Sequence, residues 1–122
     1  AYGLSWPERV ASGAAALDFH ALGAMTFESI DDHGHPERFP SLRLAWETLA
    51  APPGTTVVLN AANEVAVAAF LERRIRFDQI HALNVETLTT VPSSKPDSLA
   101  ALLELDARAR SSAQQHAARM AA

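Results

Sequence analysis

The sequence predicts a mainly α-helical protein, in which an extended arm precedes a small C-terminal bundle of about four helices. Residues 1–40 contain four of the five glycines and three of the seven prolines, and their apolar residues follow no sustained period. Residues 41–122 carry apolar residues at helical spacing in four segments that are joined by short connections. The expected organisation is therefore an extended arm over residues 1–40 and a helical region over residues 41–122.

The arm is expected to be mostly extended. Pro7 disfavours a helix at the residue before it, whereas "LDFHAL" suits a single helical turn. In "AMTFESI", Met25 and Phe27 alternate with polar residues, which can give a short strand that needs a second strand from elsewhere. "DDHGHPERFP" is polar and ends in proline, so it indicates a loop or linker. Because Trp6, Phe19, Met25 and Phe27 have no evident apolar neighbours within the arm, we expect them to contact a partner.

The first two helices of the bundle lie on either side of a proline-rich break. The apolar stripe of the first helix comprises Leu42, Ala45, Trp46 and Leu49. Pro52-Pro53-Gly54 ends this helix. The second helix is expected from about Asn60 to Arg73, because asparagine is a good N-cap. Little side-chain bulk is present at its alanines, which lets a neighbouring helix approach closely: Ala61, Ala62, Ala66, Ala68 and Ala69.

The last two helices have their own cap signals. Asp78 is expected to cap the third helix, and Phe77 before it can pack on the first turn. The apolar stripe of this helix comprises Ile80, Leu83, Leu88 and Val91. The fourth helix runs from about Ser98 to the C-terminus, with Asp97 or Ser98 as its cap.

Composition and charge exclude several classes of function. The net charge of -4 argues against general nucleic-acid binding, which needs a basic face. No stretch approaches the roughly 20 apolar residues of a membrane span. The absence of cysteine excludes disulfides and cysteine-ligated zinc, and it fits a reducing compartment. Because the chain begins Ala1-Tyr2 without a methionine or a basic signal-like region, we interpret it as a mature or truncated product.

Three polar residues in an alanine-rich run are the first candidates for a site. Asn60, Asn63 and Glu64 can cap a helix or make hydrogen bonds between helices, and this is the favoured interpretation. The alternative is a carboxylate–amide pair that holds a ligand. The arginines Arg73, Arg74 and Arg76 are similarly interpreted as a solvated helix C-terminus, with a contact to an acidic partner as the alternative.

Other chemical signals are weak. Carboxylates and imidazoles cluster around His33 and His35, which could bind a metal ion such as zinc, but a flexible loop lacks the fixed geometry of a metal site. Nothing like GxSxG surrounds the serines of the arm, and no GxGxxG or P-loop occurs. The candidate nucleophile, acid and base residues of the arm are therefore interpreted as loop polarity: Ser5, Ser12, Asp18 and His20.

Four blocks of the sequence carry a family resemblance. They are "WPERVASGAAALDFHALGAMTFE", "RFPSLRLAWETL", "LNAANEVAVAAFLERRIRFDQI" and "SLAALLELDARAR", and the third is the most specific. In this order and spacing they resemble the C-terminal part of the 1-deoxy-D-xylulose 5-phosphate reductoisomerase family. The stretch "SIDDHGHPERFP" is a few residues longer than the family's linker, so His33 and His35 have no family role.

The resemblance implies an enzyme of the non-mevalonate route to isoprenoids. Such an enzyme converts 1-deoxy-D-xylulose 5-phosphate to 2-C-methyl-D-erythritol 4-phosphate with NADPH and Mg²⁺ or Mn²⁺. It is a homodimer whose subunits have an N-terminal NADPH-binding domain, a central catalytic domain and a C-terminal helical domain. By this resemblance, residues 1–39 are the end of the central domain with the linker, and residues 40–122 are the helical domain.

The family's functional residues have no match here. Its cofactor loop, metal ligands, phosphate ligands and flap all precede the matching blocks, so we expect no catalytic, cofactor-binding or metal residue in this chain. The chain alone is expected to be inactive, with the preceding domains as its partners and no nucleic acid or membrane. The expected location is the bacterial cytoplasm, or a plastid in a eukaryote. The alternative is an independent helical interaction module with no enzymatic parent.

Overall fold

The computed structural model describes residues 4–8, 10, 11, 13, 15, 18–31, 34–93 and 95–121. Helices in this part of the chain are α1 Phe19–Leu22, α2 His35–Arg38, α3 Pro40–Ala50, α4 Thr55–Leu71, α5 Phe77–Thr90 and α6 Leu99–Met120. The mainly α-helical fold predicted from the sequence is confirmed, and the four long helices are α3 to α6. Among the described helices, none has the length and apolar character that crossing a bilayer would need.

The arm contains two short helices and otherwise irregular chain. The single turn expected in "LDFHAL" forms as α1, whose first amides donate to the Asp18 carboxylate from His20 at 2.9 Å and Ala21 at 3.3 Å. The loop expected before Pro40 contains one helical turn, α2. The short strand considered for "AMTFESI" does not form. Residues 24–29 are irregular, and the described residues offer no strand that could pair with their backbone.

Three helices form the core. α4 packs against both α5 and α6, and the close contact rests on alanines whose side chains are wholly buried: Ala61, Ala62, Ala66 and Ala69 on α4, with Ala109, Ala113 and Ala117 on α6. Larger side chains fill the space beside this contact, including Leu83 of α5 and Leu105 of α6. The close approach predicted from the alanines of α4 is confirmed at four of its five positions, since Ala68 is exposed.

α3 lies at the edge of this three-helix core. It faces α4 through half-buried Leu44 and through Thr48, which is 4% exposed. Its predicted apolar stripe is largely exposed, with Leu42 46%, Trp46 72% and Leu49 66% exposed, although Ala45 and Leu49 border a groove beside α4. Its helical spacing identified an apolar face, but the described chain does not cover that face.

Two of the three predicted helix starts are also wrong. α4 begins at Thr55 after Gly54, whose φ of 98° suits glycine, so Asn60 lies inside the helix and is not its N-cap. α5 begins after Arg76, and Asp78 is in its first turn. The Gln79 side chain instead accepts the Arg76 backbone N–H at 2.8 Å. The third start is confirmed, because Ser98 Oγ accepts the Ala101 N–H at 3.2 Å and so caps α6.

Candidate functional site

The polar residues of α4 divide between two neighbouring helices. Asn60 Nδ2 donates to Glu64 Oε1 at 3.2 Å, and Glu64 Oε2 accepts from Arg110 of α6 at 2.8 Å. Arg110 also pairs with Asp106 at 2.7 Å. The hydrogen bond from Arg110, followed by that from Asn60, holds the pKa of Glu64 below its ordinary value. Glu64 thus makes the interhelical contact that was favoured for this group.

Asn63 faces a different neighbour. Its Oδ1 accepts from Nδ2 of Asn84 at 3.1 Å, which joins α4 to α5. Asn84 is 3% exposed, so this is an amide pair at the edge of the core. Since Glu64 bonds to α6 and Asn63 to α5, the three polar residues do not converge on one ligand.

A groove of about 450 Å³ lies between α3 and α4. Its apolar walls are Leu44, Ala45 and Leu49 of α3 and Leu59 of α4. Uncharged polar side chains complete the lining: Ser41, Thr48, Thr56, Asn60, Asn63 and Asn84. None of these lining residues carries a charge. The groove is thus suited to an uncharged occupant.

Asn84 is the residue of this groove that sequence reasoning missed. Its side-chain Oδ1 is buried and has no hydrogen-bond partner among the described residues. A signal was present in the sequence, because positions 80, 84, 87 and 91 follow the helical period of a buried face. A polar residue at a core-facing position needs partners, and half of this amide lacks one.

A second buried polar group lies between α5 and α6. His116 is 6% exposed, with Nδ1 at 2.8 Å from Oε2 of Glu86 and Nε2 at 3.2 Å from Oγ1 of Thr90. Arg119 also contacts the His116 ring. These contacts hold the C-terminal halves of the two helices together, so we interpret His116 as a structural residue.

The remaining candidates have local contacts. Asp32, His33 and Ser12 lie outside the described residues, and His35 Nε2 is 2.8 Å from Oε2 of Glu28. Within the described ranges, no group of three or more His, Asp or Glu side chains is placed to hold a metal ion. Ser5 Oγ accepts from the Val10 N–H at 3.3 Å.

The predicted basic run at the end of α4 is largely paired. Arg74 forms an ion pair with Glu72 at 2.7 Å, and Arg76 forms one with Asp78 at 2.8 Å. Arg73, Arg74 and Arg76 are exposed, whereas Ile75, which lies between Arg74 and Arg76, is buried. Arg73 and Arg74 follow the C-terminus of α4, as interpreted from the sequence, whereas Arg76 is the N-cap of α5.

The fold and the groove define a class of protein: a small helical domain with a largely apolar, uncharged surface beside one loosely attached helix. The family model described as the DXP reductoisomerase C-terminal domain matches residues 1–112. The chain therefore belongs to the DXP reductoisomerase C-terminal domain family, and the resemblance found in the sequence is confirmed.

Relatives with the name 1-deoxy-D-xylulose 5-phosphate reductoisomerase show the same likeness. The protein from Cellvibrio japonicus is 45% identical over 119 residues, which cover 98% of this chain and 29% of that protein. The protein from Xanthomonas campestris pv. campestris is 50% identical over 110 residues, or 90% of this chain and 27% of that protein. The chain thus spans less than a third of these relatives, which implies further domains of the same enzyme.

A solved structure supports the fold. It is the 1-deoxy-D-xylulose 5-phosphate reductoisomerase from Zymomonas mobilis in complex with NADPH, with a TM-score of 0.71 and 39% sequence identity. The superposition covers 93% of this chain and 29% of that one. The helical arrangement described above is therefore shared with part of a larger reductoisomerase.

Proposed function

We propose that this chain is the C-terminal structural domain of an enzyme that converts 1-deoxy-D-xylulose 5-phosphate to 2-C-methyl-D-erythritol 4-phosphate. The enzyme uses NADPH and Mg²⁺ or Mn²⁺, and it acts as a cytoplasmic homodimer on the non-mevalonate route to isoprenoids. Residues 1–39 complete the central domain and linker, and residues 40–122 form the helical domain. The observation that carries this proposal is the family match over residues 1–112.

The described residues bring together no set of three metal-ligating side chains, and the sequence has no glycine-rich phosphate loop. We assign NADPH and the metal ion to the other domains, and we derive no catalytic step from residues of this chain.

The role left to this domain is mechanical. Its exposed apolar side chains on the arm and on α3, such as Phe27 at 84% and Trp46 at 72%, suit packing against neighbouring domains. A domain held in this way supports one side of the catalytic cleft. Cleft closure needs firm supports on both sides, so the domain contributes to turnover without touching the substrate.

The test compares three proteins in an NADPH-oxidation assay: the full-length enzyme, the enzyme truncated before residue 40, and this 122-residue chain. We expect activity from the full-length enzyme, a loss of at least about tenfold on truncation and no turnover by the isolated chain. Adding the chain to the truncated enzyme should restore part of the activity. Full activity of the truncated enzyme, or turnover by the isolated chain, would refute the proposal.

A further inference from the structure

The groove between α3 and α4 ends on a buried amide that is only half satisfied. Asn84 donates through Nδ2 to Asn63, while its Oδ1 has no partner among the described residues. Exchanging oxygen and nitrogen does not remove the deficit, because Asn63 must then flip as well and the Asn84 nitrogen becomes the unpaired atom. A buried polar atom without a partner is costly, so a missing hydrogen-bonding group is indicated.

The rest of the groove sets the chemistry of that missing group. Leu44, Leu49 and Leu59 give it apolar walls, and no lining residue is charged. A phosphate or a carboxylate would therefore find no cation there, and an ammonium group would find no anion. The occupant that fits is apolar in its side chains and offers one uncharged polar group.

A second, separate depression lies on the exposed side of α3, where Leu42, Arg43 and Trp46 meet Ile30, Asp31, Pro36 and Phe39 of the arm. In the relatives, more than two thirds of the polypeptide lies outside the region that this chain matches. Because the matching family is a C-terminal domain, that polypeptide precedes it, and the arm leads towards it.

We infer that the α3–α4 groove receives an uncharged, apolar segment of the preceding polypeptide of the same enzyme, and that a backbone amide of this segment hydrogen-bonds to Asn84. The inference rests on the proposed function, since it requires that this chain is one domain of a larger enzyme. It identifies the groove as the docking surface and Asn84 as its polar anchor. Leu49, at the groove wall, packs against the docked segment.

The first experiment captures the segment in the full-length enzyme. Leu49→p-benzoylphenylalanine places a photoreactive group at the groove wall, and irradiation followed by mass spectrometry identifies the cross-linked peptide. Leu103→p-benzoylphenylalanine is the matched control, because Leu103 of α6 is 62% exposed, compared with 66% for Leu49, and lies outside the groove. We expect position 49 to label an uncharged segment that precedes Ala1, and position 103 not to label that segment.

Several outcomes would overturn the inference. Position 49 could label no peptide, positions 49 and 103 could label the same peptide, or position 49 could label a small molecule. A fourth contradicting outcome is a cross-link between two copies of the chain, which a mixture of isotopically heavy and light chains would reveal and which would make the groove an interface between subunits. Truncation that leaves activity intact would refute the proposed function without affecting the cross-link, so the two failures are distinguishable.

The second experiment tests the anchor by hydrogen–deuterium exchange in the full-length enzyme. Asn84→Leu removes the amide at similar volume, and we expect amides of the docked segment to exchange roughly fivefold faster. Thr87→Val is the matched control, since Thr87 is buried one turn along α5 and its hydroxyl donates to its own helix at Leu83 O, 2.9 Å away. Equal exchange of that segment in both variants would contradict the role of Asn84.

Discussion

At the residue scale, Arg73 has a backbone conformation that favours glycine. Its φ is 60°, and it follows α4 in a Schellman-type end in which Arg74 N–H donates to Ala69 O at 2.8 Å and Arg73 N–H to Phe70 O at 2.9 Å. A side chain in the left-handed region is strained, whereas glycine is not. The arginine at this position therefore stores strain that a single substitution can release.

We expect Arg73→Gly to raise the free energy of unfolding by about 0.5–1 kcal/mol, because the strain removed exceeds the added entropy of the unfolded chain. Urea unfolding followed by circular dichroism measures the change. Glu72→Gly is the control, since Glu72 at φ -78° gains no relief and should lower stability. A destabilised Arg73→Gly variant would show that the arginine side chain matters more than its backbone strain.

The position of Asn60 inside α4 also gives a prediction. Its side chain makes one exposed hydrogen bond to Glu64, and alanine has the higher helix propensity, so Asn60→Ala should change the free energy of unfolding by less than about 0.5 kcal/mol. Loss of a true N-cap costs about 0.5–2 kcal/mol, and Ser98→Ala should show such a loss. Thermal unfolding of both variants shows whether Asn60 and Ser98 contribute equally to stability. A loss from Asn60→Ala as large as that from Ser98→Ala would restore the cap interpretation.

At the element scale, Glu64 joins α4 to α6 in a pH-dependent contact. Arg110 and Asn60 lower the pKa of Glu64 in the folded chain, so the unfolded chain takes up this proton first as the pH falls. The contribution to stability is therefore present above the ordinary pKa of 4.5 and is lost as the pH falls through the lower pKa of the folded chain. Glu64 is at the surface, so salt also weakens the contact.

The variant Glu64→Gln tests whether this stabilising contact is lost as the pH falls. We expect the parent chain to be more stable than the variant at pH 7, and the difference to shrink below pH 4.5 and in high salt. Equilibrium unfolding across the pH range measures it. Glu104→Gln, on an exposed part of α6, is the control and should show a smaller dependence. A difference that grows towards low pH would contradict the Arg110 contact.

The helices show what the sequence could and could not determine. The four long helices and the alanine contact were predictable, because spacing and small side chains act locally. The start of α4 was not, since Thr55 to Val58 are β-branched and weak helix formers, and burial of Val58 overrides their propensity. The sequence identified the apolar stripe of α3, but the exposure of Leu42 and Trp46 could not be predicted, for another reason. Periodicity shows that a face is apolar, but it does not show which surface covers it.

At the scale of the whole molecule, α3 is less well packed than α4, α5 and α6. α4, α5 and α6 bury two clusters of apolar side chains between them, whereas Thr48 is the one described residue of α3 that is buried. Local stability follows the buried contacts of each region. α3 should therefore open without unfolding of the other three helices, and an occupant of the α3–α4 groove should suppress that opening.

Native-state hydrogen exchange tests this uneven stability in the 122-residue chain. We expect backbone amides of α3 to exchange at a lower opening free energy than amides of α4 near Ala66, which is fully buried. Leu44→Ala removes part of the contact between α3 and α4, so it should speed exchange in α3 with little effect on α4. Leu83→Ala opens a cavity in the shared core and should destabilise α4, α5 and α6 together, by about 2–5 kcal/mol.

Equal protection of α3 and α4, with both lost together in Leu44→Ala, would mean that the four helices unfold as one unit. Comparison with the full-length enzyme completes the test, because docking in the groove should raise the protection of α3 selectively.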